Sequence, residues 1–146
     1  MTDTPSPRFL DGIQPIADAY DGFILDLWGC LHDGIQAYPG VRDCLLALRR
    51  RGKRICLLSN APRRIASVIQ RIEPMGLTAD LYDEILSSGE ATWRALAHRA
   101  DPWHRALGRH CWHMGPPKDN DVHEGTGLTM VAGPGDADFV LATGIH

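Results

Sequence analysis

The chain has 146 residues, about the length of one average domain, and a formal net charge of −3. Its residues are 44% hydrophobic and 23% charged, which is typical of a globular chain and excludes a disordered one. No stretch approaches the roughly 18 apolar residues needed to cross a bilayer. The slight negative charge gives no electrostatic reason to expect nucleic acid or acidic lipid as a partner. We therefore expect one globular domain with neither a membrane nor a nucleic acid as its partner.

The four cysteines are Cys30, Cys44, Cys56 and Cys111, and no two of them form a C-x-x-C pair. Each has apolar neighbours, which favours buried free thiols in a reducing compartment over disulfides or a zinc site. The N-terminus contains Pro and Asp where a signal peptide needs an apolar run. These features predict a cytoplasmic protein.

The first predicted strand follows a short N-terminal segment. Residues 1–20 predict a loose arm and a short helix. The apolar run Phe23–Leu25 is continuous rather than alternating, which is typical of a strand buried on both faces of a parallel sheet. Asp26 closes this strand, and the Gly- and Pro-bearing residues 28–40 predict a loop.

Helical and strand patterns alternate after this loop. Apolar residues at i, i+3, i+4 and i+7 predict amphipathic helices, and short apolar runs between them predict strands. The connections are long enough for right-handed parallel crossovers. The predicted elements are a helix from Val41 to a stop at Gly52, a strand over Ile55–Leu58, a helix with Pro62 in its first turn and an apolar stripe from Ile65 to Ile72, a strand over Glu84–Leu86, and a helix around Trp93 and Leu96.

The last third of the chain contains two more strand candidates. Cys111–Met114 and Phe139–Leu141 are apolar runs, and residues 115–137 between them are rich in Gly, Pro and Asp, which predicts a loop. A parallel strand normally leads into another crossover, yet the chain ends shortly after Leu141. This pattern leads us to expect an incomplete chain.

Polar side chains follow the first two predicted strands. Asp26 ends the first strand, and Ser59 and Asn60 end the second. Ligands of open parallel sheets bind beyond the carboxyl ends of the strands, and neighbouring ends are about 4.8 Å apart. A carboxylate nucleophile beside a hydroxyl and amides could perform phosphoryl or acyl transfer. The same residue types are also common as turn formers, so both interpretations stay open at this point.

Four segments together resemble the haloacid dehalogenase superfamily. DLWGCLHDG at 26–34 is similar to its first motif, and LLSNAPR at 57–63 is similar to its second. YPG at 38–40 and SSGEAT at 87–92 resemble the NagD-like branch, whose phosphatases carry a cap domain inserted after the third core strand. The resemblance extends from about Gly22 to the end of the chain. It implies an α/β fold with a Rossmannoid parallel sheet and flanking helices.

The resemblance also implies roles for five residues. Asp26 is expected to be the nucleophile that forms an aspartyl-phosphate, and to ligate Mg²⁺ together with the backbone carbonyl of Trp28. Ser59 is expected to hydrogen-bond the transferring phosphoryl group, with Asn60 and Gly29 as further phosphate-binding residues. Mg²⁺ also fits on physical grounds, because it prefers oxygen ligands and offsets phosphate charge. Only a loop and one helix separate the two motifs, so no cap fits between them, as in the NagD-like branch.

Trp28 stands where phosphatases of the superfamily carry a second Asp, which protonates the leaving group and then activates water. General acid–base catalysis contributes roughly 100- to 10,000-fold, and Trp cannot provide it. His32 or Asp33 in the following loop could substitute, and His has a suitable unperturbed pKa.

The third and fourth motifs of the superfamily, a Lys and a downstream acidic pair, have no match. Gly135 and Asp136 precede an apolar run, whereas the acidic motif follows one. Lys53 and Lys118 are the only lysines. Lys53 opens a strand at the wrong end of the sheet, and Lys118 is expected to be a solvated loop charge, although a role near the phosphate stays open.

Other charged groups have simpler interpretations. Arg63 and Arg64 begin a predicted helix beside Ser59 and could face a phosphate. A cluster in the Gly- and Pro-rich segment is expected to be a solvated loop; its members are Asp119, Asp121, His123 and Glu124.

The resemblance further implies the limits of the domains. ADFVLATGIH at 137–146 resembles the point where the core passes into the cap. We therefore expect an arm with a short helix over 1–20, the front half of the core over 21–136, and the start of a missing cap over 137–146. The chain would lack the last core strands, and its exposed sheet edge predicts self-association.

These observations predict a Mg²⁺-dependent phosphatase of a small phosphorylated metabolite that acts through an aspartyl-phosphate on Asp26. The alternative is a non-catalytic remnant, or a module that binds phosphate or a partner chain. A flavodoxin-like binding domain would share the class of sheet, but it does not explain the segment 26–34.

Overall fold

The computed structural model describes residues 9–144, and its six strands form two separate parallel sheets. In the first sheet, the strands are neighbours in chain order; they are β1 (Gly22–Asp26), β2 (Arg54–Ser59) and β3 (Glu84–Ser87). In the second sheet, β4 (His110–Met114) lies between β5 (Thr129–Met130) and β6 (Phe139–Ala142).

Helices connect these strands. The α-helices are α1 (Gln14–Ala17), α2 (Val41–Arg50), α3 (Ile65–Ile72), α4 (Ser88–His98) and α5 (Pro102–Ala106). Short 3-10 helices occupy Glu73–Met75, Ala79–Leu81, Pro117–Val122 and Pro134–Asp136. Parallel strands joined by crossover helices confirm the α/β fold. None of the helices in residues 9–144 is both long and apolar enough to span a membrane.

The register of the first sheet brings the predicted site residues to one edge. Asp26 pairs with Leu58, and Ser59 pairs with Ser87, so β1, β2 and β3 end at nearly the same level. Parallel strands present their carboxyl ends on the same side of the sheet, which is where ligands of such folds bind.

The hydrophobic core lies on one face of the first sheet. Ile55 and Leu57 of β2 are buried against α2 and α3, whose stripes contribute Leu45, Leu48, Val68 and Ile72. Helix α2 carries Arg49 and Arg50 in its last turn, where cations complement the helix dipole.

The opposite face of this sheet is exposed, so the prediction that Phe23–Leu25 is buried on both faces is wrong. Phe23 and Leu25 point towards the core, whereas Ile24 between them is 72% exposed and Leu58 is 43% exposed. The continuous apolar run predicted the strand correctly, but helices α2 and α3 cover only one of its faces.

Several boundaries differ from the predictions. Helix α3 begins at Ile65, so Pro62 precedes it instead of lying in its first turn. The segment 115–137 contains the strand β5 and two 3-10 helices, where a loop was predicted. Strands β4 and β6 are confirmed, but they form a sheet of their own. The limits of the domains stay a prediction, and residues 1–8 and 145–146 lie outside the described residues.

All four cysteines are free thiols, as predicted, but they are not all buried. Cys111 is buried, Cys44 and Cys56 are half-buried, and Cys30 is exposed in the loop after β1. Burial raises the pKa of the Cys111 thiol, which keeps it protonated. The loop of Cys30 turns its apolar neighbour Leu31 inward instead.

Candidate active site

Asp26, Ser59 and Asn60 line one cleft of about 500 Å³ at the carboxyl edge of the first sheet. The Asp26 carboxylate is exposed, and its Oδ1 accepts the backbone N–H of Leu27 at 2.8 Å. The Ser59 Oγ accepts the backbone N–H of Ala61 at 3.2 Å, which leaves the hydroxyl hydrogen to point elsewhere. The structure thus brings together four of the five residues predicted for the site, since Trp28 lines the same cleft.

The loop after β1 is a tight turn around the carbonyl of Leu27. This carbonyl accepts the N–H groups of Leu31 at 2.8 Å and His32 at 3.2 Å. Gly29 has a φ of +79°, a left-handed conformation that disfavours other residues, and its N–H donates to the His32 carbonyl at 2.8 Å. Gly29 is not among the residues that line the cleft, and its predicted phosphate contact stays a prediction.

Trp28 lines the cleft with an indole that is 74% exposed. Gly34 lies beside this ring, since a Cβ on Gly34 would stand 4.0 Å from its Cε2 atom. The Trp28 indole therefore occupies the position where the resemblance to the haloacid dehalogenase superfamily implies an acidic residue. It offers the cleft an apolar surface and no transferable proton.

His32 and Asp33 are the two residues suggested as substitutes for the general acid. Of these two, only His32 lines the cleft. Its side chain is 6% exposed, and its Nδ1 accepts the N–H of Gly34 at 2.9 Å. This bond assigns the ring proton to Nε2 in the neutral imidazole. Burial, and secondarily the Arg71 charge, lower the pKa of His32. The environment therefore favours a neutral hydrogen-bond donor.

Asp33 is exposed and holds the turn that follows. Its Oδ1 accepts the N–H groups of Ile35 and Gln36, each at 2.8 Å. These backbone hydrogen bonds lower the pKa of the Asp33 carboxyl, and the bond from Gln36 has the largest effect. Asp33 is thus a turn residue outside the cleft, and it does not replace the missing acid.

Three cations also line the cleft: Arg63, Arg71 and Lys118. Arg71 donates from Nη2 to the Gly34 carbonyl at 3.2 Å. Lys118 comes from the 3-10 helix Pro117–Val122, far along the chain from Asp26. Lys53 instead donates to the Tyr20 carbonyl at 2.8 Å and does not line the cleft, in line with its predicted remoteness.

Arg63 and Arg64 anchor the 3-10 helix that carries Lys118. Arg63 Nε donates to Asp119 Oδ1 at 2.8 Å, and the backbone N–H of Arg64 donates to Asp121 Oδ2 at 3.0 Å. Asp119 is only 2% exposed. The prediction of a solvated loop for Asp119 and Asp121 is therefore wrong, because both carboxylates pack against the start of α3.

The Arg64 guanidinium faces away from the cleft. It lies 3.6 Å over the Trp93 ring, and its Nε donates to Glu90 Oε2 at 2.6 Å. Arg94 binds the other oxygen of Glu90 at 3.1 Å, so this buried carboxylate holds two arginines. Of the two arginines expected near a phosphate, only Arg63 lines the cleft.

The SSGEAT segment holds the loop after β2 in place. Ser88 Oγ donates to the Ala61 carbonyl at 3.0 Å, and Ser87 Oγ donates to the Arg63 carbonyl. Gly89 lies so close to this loop that a Cβ would stand 2.1 Å from the Arg63 nitrogen. The small residues of this segment are therefore required for the shape of the cleft, a role that their spacing alone did not reveal.

Asp26 is the carboxylate of the cleft that could ligate Mg²⁺. Within residues 9–144, no group of three or more His, Cys, Asp or Glu side chains could hold a metal by itself. Mg²⁺ commonly binds through one or two carboxylates together with waters and substrate phosphates. The exposed Asp26 carboxylate meets that minimal requirement.

Comparison with known proteins agrees with this geometry. The family model of haloacid dehalogenase-like hydrolases matches residues 23–129. The chain therefore belongs to the haloacid dehalogenase-like hydrolases. A comparison with curated proteins found no match.

Solved structures share the fold. A haloacid dehalogenase-like hydrolase from Brucella suis 1330 has 25% identity and a TM-score of 0.79, over 95% of this chain and 50% of that chain. Glycerol phosphate phosphatase from Mycobacterium tuberculosis in complex with magnesium has 24% identity and a TM-score of 0.63, over 89% of this chain and 38% of that chain. NagD from E. coli K-12 has 22% identity and a TM-score of 0.58, over 84% of this chain and 45% of that chain. The predicted NagD-like fold is confirmed, and the chain spans half or less of each structure.

Proposed function

We propose that the chain carries the nucleophile of a Mg²⁺-dependent phosphatase that acts on a small phosphorylated metabolite in the cytoplasm. The observation that supports this most directly is the cleft itself. Asp26 and Ser59 line it from adjacent strand ends, with three cations around them. A carboxylate nucleophile surrounded by positive charge suits an anionic phosphoryl group.

The reaction proceeds in two displacements. A carboxylate oxygen of Asp26 attacks phosphorus, and the ester oxygen leaves with the bonding electrons and takes a proton from solvent, which leaves an aspartyl-phosphate. Water then attacks this phosphorus and gives up a proton to solvent, and inorganic phosphate leaves as the Asp26 carboxylate is restored. The Ser59 hydroxyl donates to a phosphoryl oxygen, since its own oxygen already accepts the Ala61 N–H. Mg²⁺, when bound by Asp26 and the Trp28 carbonyl, offsets the charge of the phosphoryl group.

The leaving group receives little help from the chain. Trp28 has no transferable proton, and the neutral His32 donates a hydrogen bond without being a strong acid. Substrates with acidic leaving groups, such as 4-nitrophenyl phosphate, are therefore expected to react faster than alkyl phosphates.

Trapping of beryllofluoride on Asp26 tests this proposal. We expect a Mg²⁺-dependent adduct by ¹⁹F NMR, lost on chelation with EDTA and absent from the Asp26→Asn variant. The matched control is Asp33→Asn, which removes an exposed carboxylate of the same loop outside the cleft. An adduct that survives in Asp26→Asn, or no adduct in the parent chain, contradicts the proposal.

A second candidate is a phosphate-binding module without turnover. Trp28 in place of the usual acid favours it. Phosphate binding by the chain without release of 4-nitrophenol from 4-nitrophenyl phosphate would support this candidate over the phosphatase.

A further inference from the structure

Two of the three cations that line the cleft have no carboxylate partner among the described residues. The charge of Arg63 is offset by the Asp119 carboxylate at 2.8 Å. Within residues 9–144, neither Arg71 nor Lys118 forms an ion pair with a carboxylate. Asp26 is the one carboxylate among the described residues that line the cleft, so both cations are available to an anionic ligand.

Lys118 comes from a segment of the chain that is separate from the loop after Asp26. It belongs to the 3-10 helix Pro117–Val122, whereas the residues around Asp26 belong to the loops after β1 and β2. The cleft of about 500 Å³ is in the range that accommodates whole small molecules, which leaves room beyond a phosphoryl group. Lys118 and Asp26 therefore line the same cleft from different segments of the chain.

The backbone that carries Lys118 is fixed. The neighbouring Asp119 is buried and bonded to Arg63, and its N–H donates to the Pro116 carbonyl at 3.0 Å. Val122 at the end of the same helix is also buried. A lysine on an anchored backbone loses less entropy on binding an anion than one on a free loop.

We propose that Lys118 binds a second anionic group of the substrate, so that the preferred substrates are phosphomonoesters that also carry a carboxylate or a second phosphate. This inference rests on the proposed function, because Asp26 and Ser59 then bind the phosphoryl end. Lys118 is a specificity-determining residue contributed by the segment Pro117–Val122.

Amine labelling tests the contact without requiring turnover. The chain has two lysines, so acetylation of Lys118 and Lys53 can be followed separately by mass spectrometry. The probes are 3-phosphoglycerate and glycerol 3-phosphate, which differ by a carboxylate in place of a hydroxymethyl group. We expect 3-phosphoglycerate to protect Lys118 several-fold better than glycerol 3-phosphate, with Lys53 unaffected by either. Equal protection by both probes, or none, overturns the inference.

Kinetics provide the second measurement. In Lys118→Gln, the ratio of kcat/KM for 3-phosphoglycerate to that for glycerol 3-phosphate should fall about tenfold, as expected when one charge-assisted hydrogen bond is lost. Lys53→Gln is the control and should keep the ratio of the parent chain. A ratio unchanged in Lys118→Gln overturns the inference.

The two proposals fail separately. Beryllofluoride trapping on Asp26 with no selective protection of Lys118 overturns the role of Lys118 and leaves the phosphatase standing. Without trapping, the phosphatase fails, and the labelling pattern still decides whether Lys118 binds the second anionic group.

Discussion

Gly89 of α4 packs directly on the backbone of Arg63, which leaves no space for a side chain between them. A Cβ at Gly89 would stand 2.1 Å from the Arg63 nitrogen and 2.5 Å from the Pro62 carbonyl carbon. This contact fixes the loop that carries Asn60 and Arg63 into the cleft.

Gly89→Ala should therefore destabilise the chain by about 3 kcal/mol, because backbone atoms have to move. Urea unfolding measures the loss. Gly135→Ala is the matched control, since nothing lies within 4 Å of its Cβ position, and it should change little. Equal free energies of unfolding for the two variants would show that the loop moves to accommodate the Cβ without a loss of stability.

Trp28→Asp should restore the missing acid. We expect hydrolysis of glycerol 3-phosphate to rise about 100-fold, the lower end of general acid–base effects. Trp28 is mostly exposed, so the change should leave the fold intact. Trp28→Phe removes the indole without adding an acid and should show no gain. A Trp28→Asp variant no faster than the parent chain would count against the missing acid as the limiting factor.

Glu90 should make stability depend on pH in the acid range. Its hydrogen bond from Arg64 holds the pKa of the Glu90 carboxyl below its ordinary value. The stabilisation is therefore fully present above the unfolded pKa, and it is lost as pH falls through the lower folded pKa. Glu90→Gln should cost about 2 kcal/mol at neutral pH, and the difference from the parent chain should shrink below about pH 4.

Urea unfolding of both proteins across the acid range measures this difference. Glu84→Gln is the control, because Glu84 is largely exposed and its contact with Arg54 is long. That control should change stability by less than about 1 kcal/mol at every pH. A difference between parent and Glu90→Gln that stays constant with pH would rule out the charged form of Glu90 as the cause.

The exposed face of the first sheet should cause self-association. Ile24 is 72% exposed on the edge strand β1, and such edges invite pairing with other chains. Ile24→Lys should weaken association in analytical ultracentrifugation, because a lysine disfavours edge pairing. Ile35→Lys places the same charge on an isoleucine outside the sheet that is 85% exposed, and it should not weaken association. A monomeric parent chain at all concentrations contradicts this expectation.

Local patterns predicted the elements of the first sheet well. The apolar spacing from Val41 and from Ile65 identified α2 and α3, and the polar residues after two strands identified the edge where Asp26 and Ser59 meet. These features depend on periodicity and on strand direction, both of which can be read over short windows.

Features that depend on distant partners were not predicted. Asp119 is buried against Arg63, which lies 56 residues away in the sequence, and no local pattern reveals such an ion pair. Likewise, the exposure of Ile24 depends on which helices pack on the sheet, not on the run of apolar residues around it. Strand β5 has two residues and lies among Gly and Pro, which is too short to show a period.

The order of the strands has a consequence for folding kinetics. β1, β2 and β3 pair with their neighbours in sequence, so residues 22–87 contain every strand of the first sheet. During synthesis, Asp26 and Ser59 can therefore meet before Lys118 has left the ribosome. Asp26, the proposed nucleophile, and Ser59 assemble early, and the cleft acquires Lys118 only when Asp119 and Asp121 dock on α3.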